Sequence, residues 1–224
     1  MYKDRQDAGE TLARALSDLS LPDPVVFALP RGGLPVAVPV ARALDAPLDL
    51  ILVRKIGVPT QPEVAAGAIV DGPPEHVYYN ERVLNVANLT EADLQSTVER
   101  KRGELADRRQ TYLQGRDPLP VRDRTAIVVD DGIATGATVR AALMALRDRG
   151  PAQVVLAVPV APPDTLEALR PLVDRVVCPE TPSFFRAVGL HYQTFDQVSD
   201  EEVTRIMHDA MKTGNGNQGQ EQGE

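Results

Sequence analysis

Short apolar runs rich in β-branched residues alternate along the chain with stretches whose apolar residues return at helical spacing. Residues 25–29, 48–53, 66–70, 126–130 and 154–159 are each almost continuously apolar. A strand with one wet face alternates apolar and polar positions, so these runs predict parallel strands covered on both faces. Between them Leu34, Ala37, Val38, Ala41 and Leu44 share one helical face, and after Gly136 so do Val139, Leu143 and Leu146. The alternation predicts an α/β domain on an open, mostly parallel sheet.

One predicted helix has a different pattern. Thr90-Glu91-Ala92-Asp93 reads as an N-cap with an acidic first turn, and a highly charged stretch follows to Gln114. Its apolar positions are sparse: Leu94, Val98, Leu105, Tyr112 and Leu113. The spacing predicts a largely solvated helix over residues 90–114, inserted between the third and fourth strands. It either stands exposed, covers a site or meets a partner subunit, as in a homodimer. Residues 116–124 contain Pro118 and Pro120 and read as a linker into the fourth strand. After Thr213 the chain is only Gly, Asn, Gln and Glu, from which no core can be built. The expectation is one domain over residues 1–212 and a disordered tail over residues 213–224.

Composition narrows the function. The 224 residues carry 24 Lys+Arg against 32 Asp+Glu, a net charge of −8 that disfavours nonspecific attraction to nucleic acid or an anionic membrane. The apolar runs fall short of the ~18–20 residues of a membrane helix, and the N-terminus has no apolar signal-peptide core. Cys178 is the only cysteine, so neither an intrachain disulfide nor a Cys-rich metal site is available. His76, His191 and His208 show no ligand spacing. A cytoplasmic protein is expected.

The chemistry concentrates in Thr125-Ala-Ile-Val-Val-Asp130-Asp131-Gly132-Ile133-Ala134-Thr135-Gly136-Ala137-Thr138 and the helical residues that follow. A buried strand delivers two adjacent carboxylates at its carboxyl end, then a turn of small and hydroxylated residues opens a helix. Backbone N–H groups at a helix start bind phosphate, with Thr135 and Thr138 adding hydroxyl donors. Gly136 lets the backbone approach a ligand closely. Carboxylates accept hydrogen bonds only, which suits a pair of ribose hydroxyls. Other phosphate motifs fit poorly: Arg31-Gly32-Gly33 is not G-x-G-x-x-G, and Thr135-Gly136-Ala137-Thr138 lacks the lysine of a P-loop.

From Val128 to Thr138 the chain closely resembles the type I phosphoribosyltransferases. Their hallmark is a hydrophobic strand, two acidic residues and a T-G-x-T loop that holds the 5-phosphate of phosphoribosyl pyrophosphate. The likeness covers most of residues 25–192 and is to a bacterial branch of that family, whose regulatory members also carry the motif. It implies an open five-stranded sheet in the order 3-2-1-4-5, flanked by helices, with a small hood over the site. Strands one and four would then be neighbours, and their following loops would face each other at the carboxyl edge.

The resemblance extends to further residues. Arg31, Gly32 and Gly33 match the loop that contacts pyrophosphate, which in related enzymes often contains a non-proline cis peptide. Arg54-Lys55 resembles the start of the mobile loop whose basic groups neutralise the departing pyrophosphate. No further Lys, Arg or His follows through Pro74, so that loop depends on the pair. The hood falls at about residues 178–195. There Pro182-Ser183-Phe184-Phe185-Arg186-Ala187-Val188-Gly189 resembles the P-x-x-F…V-G stretch of hypoxanthine-type enzymes, with one inserted residue and no Asp just after Gly189. Phe185 is the first choice to stack on a base, with Phe184 and Tyr192 behind it. Ala134 stands where 6-oxopurine enzymes carry a proton-handling Asp, which disfavours that acceptor type. Adenine and uracil enzymes also have Ala there.

The implied function is Mg²⁺-dependent transfer of a phosphoribosyl group from phosphoribosyl pyrophosphate to a small nitrogenous base, a step of nucleotide metabolism. Arg31, Arg54, Lys55 and Mg²⁺ would stabilise the leaving pyrophosphate. Asp130 and Asp131 would hold the ribose hydroxyls and reach the metal through water. Ala134, Thr135, Gly136, Ala137 and Thr138 would anchor the 5-phosphate. No obvious general base is present, so a deprotonated acceptor or proton transfer through water is implied. The alternative is a sensor or regulatory protein that binds phosphoribosyl pyrophosphate without turnover.

Overall fold

The structure is a computed structural model of the chain and describes residues 1–72 and 75–215, with side chains through residue 210. The elements are α1 (Arg5–Ser17), β1 (Pro24–Ala28), α2 (Gly33–Ala43), β2 (Leu48–Leu50), β3 (Val53–Val58), β4 (Gln61–Val70), β5 (His76–Tyr79), α3 (Glu81–Ala87) and α4 (Glu91–Leu113). There follow β6 (Thr125–Val129), α5 (Ala137–Arg147), β7 (Gln153–Ala157), α6 (Pro163–Leu169), β8 (Arg175–Val177) and α7 (Asp200–Asn215).

A five-stranded parallel sheet, ordered β2-β1-β6-β7-β8, forms the centre. Its inner strands are apolar at every position after the first residues of β6 and β7, Thr125 and Gln153, because both faces are covered. Ile127 and Val129 face the core shared with Leu12, Leu34, Val40 and Met207, whereas Val128 and Ala126 face Phe27, Leu143, Leu146 and Leu156. The register runs from Pro24 opposite Thr125 to Ala28 opposite Val129. Equal strand ends bring the two following loops out side by side at the carboxyl edge, where open α/β sheets bind ligands.

Two strand expectations are corrected. Residues 66–70 do not join the parallel sheet; they form the end of β4 in a three-stranded antiparallel sheet, β3-β4-β5. That run is apolar throughout because Ala66 and Ile69 pack into one core and Ala68 and Val70 into the other. Burial on both sides therefore gives an antiparallel strand the sequence of a parallel one. The fifth place is taken by β8, an exposed Arg175 and two half-buried valines, too short for a periodic signal. The run over residues 48–53 is also divided, between β2 and the first residue of β3.

Helix α4 starts where Thr90 donates from its N–H and Oγ1 to Asp93 Oδ2, at 2.8 and 2.7 Å. Its Leu94, Val98, Leu105, Tyr112 and Leu113 are buried against β3, β4 and α7, and its remaining face is charged. Helix α7 packs on α4 and α2 through Val203 and Met207 and runs to Asn215, three residues past residue 212. The rest of the predicted tail, residues 216–224, lies outside the described residues. No helix among the described residues is long and apolar enough to cross a membrane.

Candidate functional site

The site is built where the loops after β1 and β6 meet. Strand β6 ends at Val129 and delivers Asp130 and Asp131, both half-buried. The Gly32-Gly33 backbone lies directly against them. A Cβ on Gly32 would come within 2.0 Å of Asp131 Oδ2, and one on Gly33 within 2.8 Å of the Val129 carbonyl oxygen. Only glycine permits that approach. The peptide between Pro30 and Arg31 is cis. Gly136 begins α5 at φ +75°, in the left-handed region, and Ala134, Thr135, Ala137 and Thr138 around it are exposed. Thr165 of α6 donates from Oγ1 to the Ala134 carbonyl at 2.8 Å, tying the loop to its neighbour. The structure thus gathers Gly32, Gly33, Asp130, Asp131 and the 134–138 loop on one edge.

The two carboxylates are electrostatically unequal. Asp131 N–H donates to Asp130 Oδ1 at 2.9 Å. Burial pushes the Asp130 carboxyl well above the ordinary range, and the adjacent Asp131 charge pushes it further. Burial also raises Asp131, while the charge and hydrogen bond of Arg5 pull it back. Arg5 Nε lies 2.9 Å from Asp131 Oδ2, and its Nη1 donates to the Asp196 carbonyl at 2.7 Å. The same guanidinium sits 3.9 Å from the centroid of the Phe195 ring. Tyr192 donates from its hydroxyl to the Asp131 carbonyl at 2.5 Å. Arg5 is the main residue that sequence reasoning missed. Nothing in its local sequence, one basic residue opening a helix, shows that it reaches a carboxylate 126 positions away.

The basic side of the site divides. Arg31 Nη1 lies 3.6 Å from Asp200 Oδ1, at the start of α7. Arg54 Nε lies 3.4 Å from Glu104 Oε2 on α4. Burial lowers the Arg54 pKa, and the nearby Arg108 charge lowers it further. Lys55 instead donates to the Glu63 carbonyl at 3.1 Å on an exposed stretch of the hairpin. The expected loop opening is strand β3, and successive strand residues point to opposite faces. Arg54 and Lys55 are consequently not a joint pair: Arg54 faces α4, and Lys55 faces its own hairpin.

The hood abuts the acidic turn, since a Cβ on Gly132 would lie 2.7 Å from Val188 Cγ1. Within it Phe185 stacks on His191, with centroids 5.3 Å apart and an interplanar angle of 12°. Tyr192 is buried between Tyr2 and Phe195. Phe184, the second choice, is 95% exposed.

Among the described residues no group of three or more His, Cys, Asp or Glu side chains converges to hold a metal. The donor set still suits Mg²⁺, which is held by one or two carboxylates, several waters and substrate phosphates rather than by an all-protein cage. Asp130 and Asp131 are the two carboxylates that would reach it.

Fold and site together define an open-sheet α/β domain whose carboxyl edge combines an acidic pair with a glycine- and threonine-rich helix start. The sequence model of the family described as Phosphoribosyl transferase domain matches residues 1–194, and the chain belongs to that family. A Mycobacterium tuberculosis protein bearing the name "Putative phosphoribosyl transferase Rv0571c" is 45% identical over 212 residues, covering 95% of this chain and 47% of that protein. The chain thus spans about half the length of the curated relatives it matches. The crystal structure of TT1426 from Thermus thermophilus superposes with a TM-score of 0.81 at 40% identity, covering 93% of this chain and 98% of that one.

Proposed function

We propose that this domain binds phosphoribosyl pyrophosphate with Mg²⁺ and transfers its phosphoribosyl group to a nitrogenous base, releasing pyrophosphate. The observation that carries the reading is the contact of Gly32-Gly33 with Asp130-Asp131 beside an open Thr135–Thr138 loop. Sugar-hydroxyl acceptors and phosphate donors then share one edge. The 134–138 backbone and the Thr135 and Thr138 hydroxyls take the 5-phosphate and orient the ribose. Asp130 and Asp131 accept from the ribose hydroxyls, and their charge offsets the positive charge that develops on the ring as pyrophosphate leaves. Arg31, Arg54 and the Gly32-Gly33 N–H groups receive the leaving pyrophosphate. Mg²⁺, held by the phosphates and reached by Asp130 and Asp131 through water, supplies charge neutralisation. The hood around Phe185 bounds the acceptor end.

The test is pyrophosphate release from phosphoribosyl pyrophosphate and Mg²⁺ on adding a panel of purine and pyrimidine bases. The reading expects release with at least one base, and Ala134 directs the first choice away from 6-oxopurines. Tight ligand binding without release for any base would assign the domain to sensing instead. That alternative draws on Ala134 and on the hold of Arg5 over Asp131, which leave the acceptor without a side-chain proton acceptor in this loop.

A further inference from the structure

Helix α4 places Glu104, Arg108 and Tyr112 four residues apart, on one stripe of its surface. Glu104 pairs with Arg54, and the Tyr112 hydroxyl donates to Asp200 Oδ1. The Arg108 guanidinium lies over the Tyr112 ring, 5.8 Å from its centroid. Asp200 also meets Arg31 at 3.6 Å, so its carboxylate ties the β1–α2 loop to Tyr112, the α4 residue whose ring Arg108 covers. The Tyr112 hydroxyl lowers the Asp200 pKa most among the favourable contacts, followed by the charges of Arg108, Arg31 and Arg54. Four residues upstream, the Asp196 carbonyl accepts from the same Arg5 that holds Asp131. The segment between them therefore crosses the edge from the acidic pair to Arg31.

Arg31 on Asp200, Arg54 on Glu104 and Arg108 over Tyr112 set three guanidinium groups against two half-exposed carboxylates, an arrangement that suits a more highly charged anion. We propose that Arg108 is a third contact to the pyrophosphate end of the ligand and that Asp200 holds this subsite until the ligand displaces it. This rests on the phosphoribosyl pyrophosphate reading and adds to it a cation from α4 and an internal competitor from α7. Half-exposed ion pairs are weak, so the Asp200 contact is one that a polyanion can replace. The Arg–phosphate contacts that succeed it are bidentate and stronger.

Calorimetric titration of the full chain with pyrophosphate in Mg²⁺, and separately with ribose 5-phosphate, tests the proposal. Asp200→Asn keeps the acceptor for Tyr112 and removes the charge; pyrophosphate binding should tighten about three- to fivefold. Arg108→Ala should weaken it about tenfold or more. Both variants should bind ribose 5-phosphate within about twofold of wild type, since that ligand reports the Thr135–Thr138 loop. A gain in Asp200→Asn cannot arise from misfolding, which keeps the test decisive if Arg108→Ala folds poorly. Unchanged or weaker pyrophosphate binding in Asp200→Asn overturns the competitor role, and unchanged binding in folded Arg108→Ala overturns the contact. Failure of wild type to bind ribose 5-phosphate overturns the underlying reading of the site, and this proposal with it.

Discussion

Arg5 and Asp131 form an ion pair at 2.9 Å with only 12% and 14% of their side chains exposed, joining the first helix to the turn after β6. The guanidinium is held on two further sides, by the Asp196 carbonyl and the Phe195 ring. Helix α1 is thereby tied to the candidate site and pulls the pKa of a carboxylate there downward against the effect of burial.

Arg5→Ala leaves Asp131 buried without its cation. Stability should fall by about 2–3 kcal/mol, because removing one partner of a poorly solvated pair strands the other. The Asp131 pKa should rise further. Urea unfolding checks the first, as a drop in the midpoint at constant slope. A loss under about 0.5 kcal/mol, within the ordinary scatter of surface changes, contradicts the structural role.

The raised pKa of Asp130 has a definite sign in the pH dependence of stability. Its folded value lies above the ordinary 3.8, so the folded state binds the extra proton. The resulting stabilisation is full below about pH 3.8 and is lost as pH rises through the folded value. Asp93, Glu99, Glu104, Asp200 and Glu201, with lowered values, act oppositely: their stabilisation is lost as pH falls. The difference between wild type and Asp130→Asn reports Asp130 together with its interaction with Asp131. The variant should gain stability relative to wild type as pH rises from about 4 to about 7, measured by denaturant titration at several pH values. A pH-independent difference is the contrary result.

Gly33→Ala should be the most disruptive small change at the edge. Its Cβ would lie 2.8 Å from the Val129 carbonyl and 2.9 Å from Asp130 Cα, both backbone atoms that cannot step aside alone. Overpacking of this kind destabilises by about 1–3 kcal/mol, read as a lower Tm. Gly32→Ala meets the Asp131 carboxylate instead. It should spare more of the Tm while weakening ligand binding. Equal Tm losses in the two variants contradict this distinction.

Arg54 and Lys55 should separate on mutation. Arg54→Ala should weaken pyrophosphate binding about tenfold, the scale of one charge-assisted contact. Lys55→Ala, which removes only the exposed Glu63 contact, should stay within about twofold. Parallel titrations of the two variants decide it; equal losses would restore them to one mobile loop.

The legible parts of the fold are those whose signal is local. The runs that became β1 and β6 are almost continuously apolar, and the turn from Asp130 to Thr138 carries its chemistry in consecutive residues. Residues 66–70 misled because burial by two separate cores makes one sequence pattern serve both parallel and antiparallel strands. Strand β8 was hidden by its brevity and its exposed or half-buried side chains. At the site, Arg54-Lys55 looked like a unit because adjacency in sequence hides the alternation of a strand. Arg5 and Arg108 were invisible for another reason: each acts across the fold, and a lone basic residue on a helix carries no mark of what it faces.

The central claim is that the edge formed by Asp130, Asp131 and the Thr135–Thr138 loop binds phosphoribosyl pyrophosphate. Calorimetric titration of that ligand in Mg²⁺ against wild type and Asp131→Asn tests it most directly. Saturable one-site binding by wild type, weakened at least about tenfold in a folded Asp131→Asn, is the expected result. Equal affinity in the two proteins, or no binding by wild type, would contradict it.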